Sequence, residues 1–497
     1  MILGIDLGTT YSVGAYINDG GEPKVITNSE GNTTTPSVVL FDTDKNIVVG
    51  DAAKEKTVVQ PDDVISTVKN QMGNKMVLKE WNDQKYTPEM ISSFIIRKVI
   101  QDASKLFGKK ITGVVVTVPA YFNDAKRKAT EDAITLAGIP LVGIINEPTA
   151  AALCYVNKNK LQKGNFLIYD LGGGTFDVTV LKVEENNKIN VLATGGLSNT
   201  GGRFFDQYIV DYVVEIIQEK YGIDLEDEEY KYDLAELYLK AEKIKKQLSS
   251  SVSASIVMKI GRVVEQITVT REQFEKMIAP IYLRTENKVR DTVKRAGLAI
   301  DKIDKILMVG GSSRIPYVNE SIKRLMGKEV SNEIHPDEAV ALGAALFGKM
   351  NVSDESDIKF YDVCSHSIGV VVEDQNGKEE NEIMITRNSK LPAENVQRFR
   401  TIDTGQKMIC LKVTEGEFKE LSDVSIIGEI EIVLPSGLAT NELVLIKICL
   451  DKFQLIHVYV ELPSVNFSGE YKIKRNSNLD VNSISNLTGI LRDYVVN

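Results

Sequence analysis

Cysteine is scarce in this chain of 497 residues: Cys154, Cys364, Cys410 and Cys449 are all there is, with no C-x-x-C spacing, and the histidines His335, His366 and His457 are scattered. That supply excludes a disulfide framework and gives no zinc-type ligand set. No apolar stretch approaches the roughly 18 residues that cross a bilayer, and no basic segment precedes the first strand, so a cytoplasmic location is expected. Positive charge is also in deficit. Lys and Arg number 59 against 69 Asp and Glu, and the net charge of −10 disfavours a nucleic-acid backbone or an anionic membrane as main partner. A phosphate site in such a chain has to rest on backbone dipoles and a metal ion.

Against these shortages stands an ordered, globular composition. At 43% hydrophobic and 26% charged residues, a chain of this length holds about three or four folding units at roughly 100–200 residues each. The most informative segments are Asp6-Leu7-Gly8-Thr9-Thr10 and Asp170-Leu171-Gly172-Gly173-Gly174-Thr175. Each follows an apolar run (2–5; 166–169) and enters another (13–17; 178–183), so each reads as a β-hairpin with a turn of Gly and Thr. Glycines without Cβ let backbone N–H groups approach an anion, threonines add hydroxyl donors, and an Asp at the strand end can hold a hydrated metal through its water shell. Either hairpin alone is an ordinary glycine turn. Their repetition implies a duplicated α/β domain, and two such turns face to face would clasp a nucleoside triphosphate.

Strands and helices alternate from residue 1 to about 348, as an α/β fold requires. A buried strand is expected over 112–118, an amphipathic helix over 124–137, and a loop running into a closely packed Ala-rich helix from Glu147. Three long helical patterns, 205–221, 230–248 and 271–296, surround a hairpin at 253–270 and read as an insertion forming one wall of a cleft. A third glycine turn, Gly310-Gly311-Ser312-Ser313-Arg314, opens a helix and suits the polar groups of a nucleotide. Residues 351–362 read as a linker. From 363 onward short strands dominate and predict a compact β-sandwich, with one short helix over 483–495. The expected domains are therefore 1–350, the linker, and 363–497.

Gly4 to Ser12, Val118 to Asp124, Ile145 to Ala152, Tyr169 to Asp177 and Val309 to Pro316 together resemble the seventy-kilodalton heat-shock chaperones of the bacterial DnaK type, within the actin and sugar-kinase superfamily. The resemblance implies a duplicated actin-like, ribonuclease H-like nucleotide-binding domain followed by a smaller all-β sandwich, binding ATP or ADP with Mg²⁺ and, as a second candidate ion, K⁺. By that resemblance Asp6 and Asp170 position the Mg²⁺ through its waters, and Thr9, Thr10, Gly172, Gly173, Gly174 and Thr175 hold the phosphates. Lys69 reaches the γ-phosphate and the attacking water. Glu147 lies near that water, and Asp177 is a further cleft carboxylate. Gly8, Tyr11, Gly201, Gly202 and Gly310 belong to the same nucleotide set. Glu242, Lys245, Lys246 and Ser249 make one adenosine wall, with Gly311, Ser312, Arg314 and Asp337 opposite. Read alone, Lys69 is a solvated surface lysine, Glu147 a carboxylate favoured by a helix N-terminus, and the 242–246 stretch a charged helix face.

Pro119, Arg127 and Asp362 match positions that relay the nucleotide state, and Asp357 to Asp362 matches the interdomain linker, with Lys359 interrupting its apolar run. Phe399, Ile409, Leu411 and Val413 fall where the family lines a pocket for extended apolar peptides; inward-facing sandwich residues at period two read equally well. Several departures qualify the resemblance. Glu373 replaces a bulky arch residue, and Gly143 an arginine that receives a J-domain partner. Arg203 and Phe204 interrupt an acidic segment over the cleft, and the long helical lid is expected to be lacking, which implies fast peptide exchange. The expected partners are unfolded or extended polypeptides, a J-domain protein and a nucleotide-exchange factor, with a monomer as the expected state. A cut after residue 350 is expected to leave an active ATPase. The competing readings are a β domain serving as adaptor for one partner, a metabolite kinase, and an actin-like filament protein; the β domain and linker argue against the last two.

Overall fold

The computed structural model describes residues 1–43, 45–159, 163–185, 188–331, 333–352, 359–373, 377–452, 454–471, 473–475, 479 and 481–497. Two five-stranded paths carry the duplication. In the first lobe the order is Leu141–Asn146, Gly113–Val118, Ile2–Asp6, Tyr11–Ile17 and Pro23–Val25; in the second it is Lys305–Val309, Gly164–Leu171, Thr175–Glu184, Lys188–Ser198 and Lys359–Tyr361. In each, an antiparallel hairpin lies beside a parallel strand, so Ile2–Asp6 and Gly164–Leu171 are equivalent. Strands buried on both faces, such as Gly113–Val118, are continuous apolar runs for that reason. The helices Glu147–Asn159 and Ala339–Val352 meet between the lobes, where Gly343 lies so close to Ala150 that a Cβ would overlap its backbone. The Ala-rich composition of both helices permits that approach.

The inserted wall follows the sequence pattern. Helices Gly202–Tyr221, Lys231–Leu248 and Arg271–Arg295 flank the hairpin of Ser253–Ile260 and Val263–Thr270, whose first strand alternates strictly between exposed and buried. Thr270 and Gln273 close a capping box at the last helix. The sandwich stacks a sheet ordered Glu379–Ile385, Ile368–Glu373, Met408–Glu415, Ser425–Val433 and Lys474–Arg475 against one ordered Ala393–Arg400, Leu443–Leu450, Ile456–Leu462 and Phe467–Tyr471. Its core is its own, with Val370, Val413, Ile432, Val444 and Val458 fully enclosed. Among the described residues no helix is long and apolar enough to cross a membrane.

Both ends of the sandwich are tied to the lobes. Lys359–Tyr361 adds a parallel strand to the second lobe, pairing with Lys188–Asn190, so Lys359 does not prevent docking: its side chain is exposed at the sheet edge. Residues 353–358 of the expected linker lie outside the described residues.

The assignment of residues 363–497 to one β domain needs correction at its end. The helix Val481–Arg492 forms as expected but packs on the first lobe, and Val495–Val496 pairs in parallel with Asn46–Val49. Leu479, Ile484, Leu491, Tyr494 and Val496 join the first lobe's core beside Phe41, Tyr86 and Phe94. The Tyr494 and Tyr86 hydroxyls bond at 2.7 Å, and Arg97 donates to the carbonyls of Leu491 and Tyr494. Burying five such side chains contributes roughly 8–15 kcal/mol gross. A cut after residue 350 would remove this contribution and uncover the core, so the expectation of an intact fragment is not supported.

Candidate nucleotide site and docking face

The two hairpin turns face each other. A Cβ on Gly173 would lie 2.6 Å from the Thr10 hydroxyl, and one on Gly174 would lie 2.8 Å from the Thr9 side chain. Glycine fits here because the backbone of the second turn comes directly against the threonine side chains of the first. The third turn closes against them: the Ser312 hydroxyl donates to the Gly172 carbonyl at 2.8 Å, and Gly310, at φ +79°, packs on Asp170. Between these turns lies a cavity of about 570 Å³, within the range of small-ligand sites.

Most residues expected at the site line that cavity: Asp6, Gly8, Thr9, Thr10, Tyr11, Lys69, Glu147, Asp170, Gly172, Gly173, Thr175, Gly202, Glu242, Lys245, Lys246, Ser249, Gly310, Gly311, Ser312, Arg314 and Asp337. Gly174, Gly201 and Asp177 stand behind it. Gly201 packs on the Gly173 carbonyl, and Asp177 accepts the Tyr121 N–H at 3.1 Å. Asn32, Thr34 and Pro336 line the cavity without having been expected there; the polar turn Asn28 to Thr34 was the available signal.

Three buried carboxylates, Glu147, Asp170 and Asp177, and the half-buried Asp6 surround one buried ammonium. Lys69 forms an ion pair with Glu147, and both are enclosed. Burial pushes Asp6 up to about 7, reinforced by Glu147 and opposed by Lys69 and by the Thr117 hydroxyl at 2.9 Å. Burial likewise raises Asp170, and raises Asp177 to about 7. Burial would depress Lys69, but Glu147 and Asp6 outweigh it and raise its pKa. So much unneutralised carboxylate next to a cavity fits a cation in the cavity. Among the described residues no group of three His, Cys, Asp or Glu stands close enough to ligate an ion directly. The carboxylate and hydroxyl oxygens around the cavity suit a hard ion such as Mg²⁺.

Over the cavity mouth the lobes are joined by Tyr11, Lys54, Glu242 and Lys246. The Tyr11 hydroxyl donates to Glu242 at 3.0 Å and accepts from Lys54 at 2.8 Å and Lys246 at 3.0 Å, while Lys54 also pairs with Glu242. Burial opposes ionisation of Glu242, but the two lysines outweigh it and hold its pKa at about 2. Lys54 was not foreseen, because the short helix Asp51–Lys56 reads as an ordinary solvated face. Lys245 turns inward, donating to the Gly202 carbonyl at 2.9 Å and pairing with Asp206. Arg314 pairs with Asp337 at 2.7 Å.

Asn146 and Glu147 are consecutive but serve different faces. Glu147 holds Lys69 in the cleft; Asn146 accepts from Arg127 at 2.7 Å and donates to Asp362 at 2.9 Å. Arg127 also reaches the carbonyls of Phe122 and Ala120, within the turn that begins at buried Pro119. Around this point the sandwich docks. Glu415 accepts from the Asp124 N–H at 3.2 Å, His366 contacts the Tyr121 carbonyl at 3.2 Å, and Arg387 donates to the Thr194 carbonyl at 2.8 Å. Burial pushes Asp362 up to about 6 and Glu415 up to about 8, the latter aided by Asp124, and pushes His366 down to about 4.

Leu411 and Val413 lie inside the closed sandwich core, with Phe399 and Ile409 half-buried against it. Glu373 is exposed, and Gly143 sits inside the first lobe's sheet opposite Val115. A family model described as Hsp70 protein matches residues 2–84 and 74–490. Members of that family are ATPase chaperones that bind ATP or ADP with Mg²⁺, unfolded polypeptides and co-chaperones. With nearly the whole chain matched and the two-lobed fold and glycine-lined cleft in place, this protein belongs to the Hsp70 family.

Proposed function

We propose that the chain works in the manner of DnaK, coupling slow ATP hydrolysis in the cleft to binding and release of extended apolar polypeptide by the sandwich. The observation that carries this reading is the pair Asn146 and Glu147, which joins the ion pair at Lys69 to the bonds that hold Asp362 and Arg127. A change at Glu147 is felt one residue away at the docking face.

In the cleft, Asp6 and Asp170 would hold Mg²⁺ through its water shell, and the ion, when bound, neutralises phosphate charge. Backbone N–H groups and hydroxyls of the Gly and Thr turns orient the phosphates. Lys69 places positive charge toward the terminal phosphate, and the Glu147 carboxylate it grips is the acceptor for the proton of the attacking water. Positioning and charge neutralisation suffice, and no covalent intermediate is required.

The test is the dissociation rate of a fluorescent, leucine-rich extended peptide from the full chain, with and without Mg·ATP. Faster release with ATP supports a coupled cycle. Binding whose release ignores ATP removes the coupling. The enclosure of Leu411 and Val413 favours, as a second reading, a sandwich that serves as adaptor for one dedicated partner; failure to bind any such peptide would select it.

A further inference from the structure

We propose that Ser37 is a positioning residue for the nucleotide's phosphates: its hydroxyl holds the Gly8 carbonyl away from the cavity, and the rigid peptide thereby presents the Thr9 N–H to the cleft. This deepens the reading above and rests on the cleft being a nucleotide site.

A backbone turn binds an anion only when its N–H groups face the ligand and its carbonyl oxygens, which repel it, are turned away and held there. A trans peptide is planar and points its C=O and N–H in opposite directions, so fixing the carbonyl of one residue aims the N–H of the next. In the second lobe, the carbonyls of Gly172, Gly173 and Gly174 are taken by the N–H groups of Gly202, Arg203 and Thr200 at 2.8–3.1 Å, and the Ser312 hydroxyl adds a second bond to Gly172 at 2.8 Å. In the first lobe one residue does this work. Ser37 donates its hydroxyl to the Gly8 carbonyl at 2.8 Å and its N–H to the Thr10 carbonyl at 2.9 Å. Gly8 and Gly172 hold the same place after Asp-Leu, so each lobe sets a serine hydroxyl on the carbonyl of the equivalent glycine. Among the described residues no backbone carbonyl accepts the N–H of Thr9, Thr10, Gly173 or Gly174. Those groups are left for a ligand.

The local sequence explains how Ser37 reaches the turn. Thr35–Pro36 pairs antiparallel with Tyr11–Ser12, with Pro36 opposite Tyr11. Pro36 has no N–H to give, and the next donor along the chain, that of Ser37, meets the Thr10 carbonyl. Ser37 and Ser12 are both enclosed, with their hydroxyl oxygens 2.9 Å apart. A hydroxyl has one proton and a carbonyl only accepts, so Ser37 gives its proton to Gly8 and receives that of Ser12. The relay from Ser12 through Ser37 to Gly8 fixes the Ser37 hydroxyl in one orientation, in a place closed to water.

Calorimetric titration of the full chain with Mg·ADP and with adenosine tests this, because adenosine lacks the groups that the Gly and Thr turns would hold. The unaltered protein is expected to bind Mg·ADP much more tightly than adenosine; equal affinities would overturn both the nucleotide reading of the cleft and the proposal. Ser37→Ala is expected to weaken Mg·ADP by about tenfold and to leave adenosine within about twofold. Ser12→Ala removes a hydroxyl from the same buried pair but keeps the bond to Gly8. It is expected to lower the thermal midpoint as much as Ser37→Ala does while holding both affinities within about twofold. Ser37→Cys fills the same space with a weak donor and is expected to repeat the selective loss, which keeps the test open should Ser37→Ala fail to fold. Equal weakening of both ligands in the Ser37 variants, no weakening of Mg·ADP, or an equal loss in Ser12→Ala overturns the positioning role.

Discussion

In the cleft, Lys69 stands among Asp6, Glu147, Asp170 and Asp177, and the cluster borders a cavity. At the docking face, Arg127 stands among Asp124, Asp362 and Glu415, and the cluster borders more protein. Both leave buried carboxylates outnumbering the cation beside them. They differ in what can make up the deficit. The cavity has room for a hydrated ion and phosphates, whereas at the docking face the carboxylates are packed against protein, and burial aided by Asp124 takes Glu415 to about 8. A similar ratio of charges thus gives a ligand site where space is left and a proton-held seam where it is not.

The largest effect that would break this comparison is expected from Arg127→Ala. Removing the cation of this buried network leaves the acceptor oxygens of Asn146 and Phe122 without their donor and takes from Asp362 the positive charge that favours its ionised form, a cost of about 3–5 kcal/mol. Urea unfolding of the full chain should show that loss; a change under about 1 kcal/mol would mean the seam tolerates an unpaired carboxylate as the cleft does. Next comes Lys69→Ala, expected to lower single-turnover ATP hydrolysis by about a hundredfold or more, while fluorescent-nucleotide titration shows retained binding. Loss of nucleotide affinity in that variant would count against a catalytic role for the ammonium.

The smallest effect sharpens the comparison through pH. A carboxyl whose folded pKa exceeds its unfolded value takes up a proton on folding, so its contribution to stability is present in acid and is lost as pH rises through the folded value. Asp362 completes that loss near pH 6, and Glu415 continues it to about 8. His366, depressed to about 4, acts in the opposite sense, but only below roughly pH 6.5. Asp6 and Asp177 in the cleft titrate near 7 with the same sign as Glu415. With the cleft saturated by Mg·ADP, the fall in stability between pH 6.5 and 8.5 is therefore assigned to Glu415, at no more than about 1.4 kcal/mol per pH unit. Glu415→Gln should flatten it, as read from urea midpoints across that range; an unchanged slope would place the proton elsewhere.

The cleft was legible because its chemistry is local. Each of the two hairpin turns carries its Asp and Thr within six residues, and a turn's conformation is dictated by the residues in it. The inserted wall was legible through periodicity, as in the exposed and buried alternation of Ser253–Ile260. The docking face was legible only in Pro119, Arg127 and Asp362. Glu415, His366 and Arg387 acquire their surroundings from strands that meet the lobes only in three dimensions. The same holds for Lys54, a surface helix residue until Glu242, 188 positions away, is brought across the cleft. The tail misled for a related reason: an amphipathic helix announces that one face is covered without saying by what.

The bond between Tyr86 and Tyr494 closes a loop of 408 positions, and this bears on how the molecule is made. Domains emerging from a ribosome generally fold as units, the N-terminal one first. Here the first lobe holds the opening strand of the chain, yet its aromatic core lacks Leu491, Tyr494 and Val496 until translation has passed through the second lobe and the sandwich. Contacts of such sequence separation form slowly. During synthesis the nascent first lobe should present an open sheet edge at Asn46–Val49 and uncovered Phe41, Trp81 and Tyr86, which makes a chaperone-family protein itself a substrate for protection until its last strand arrives.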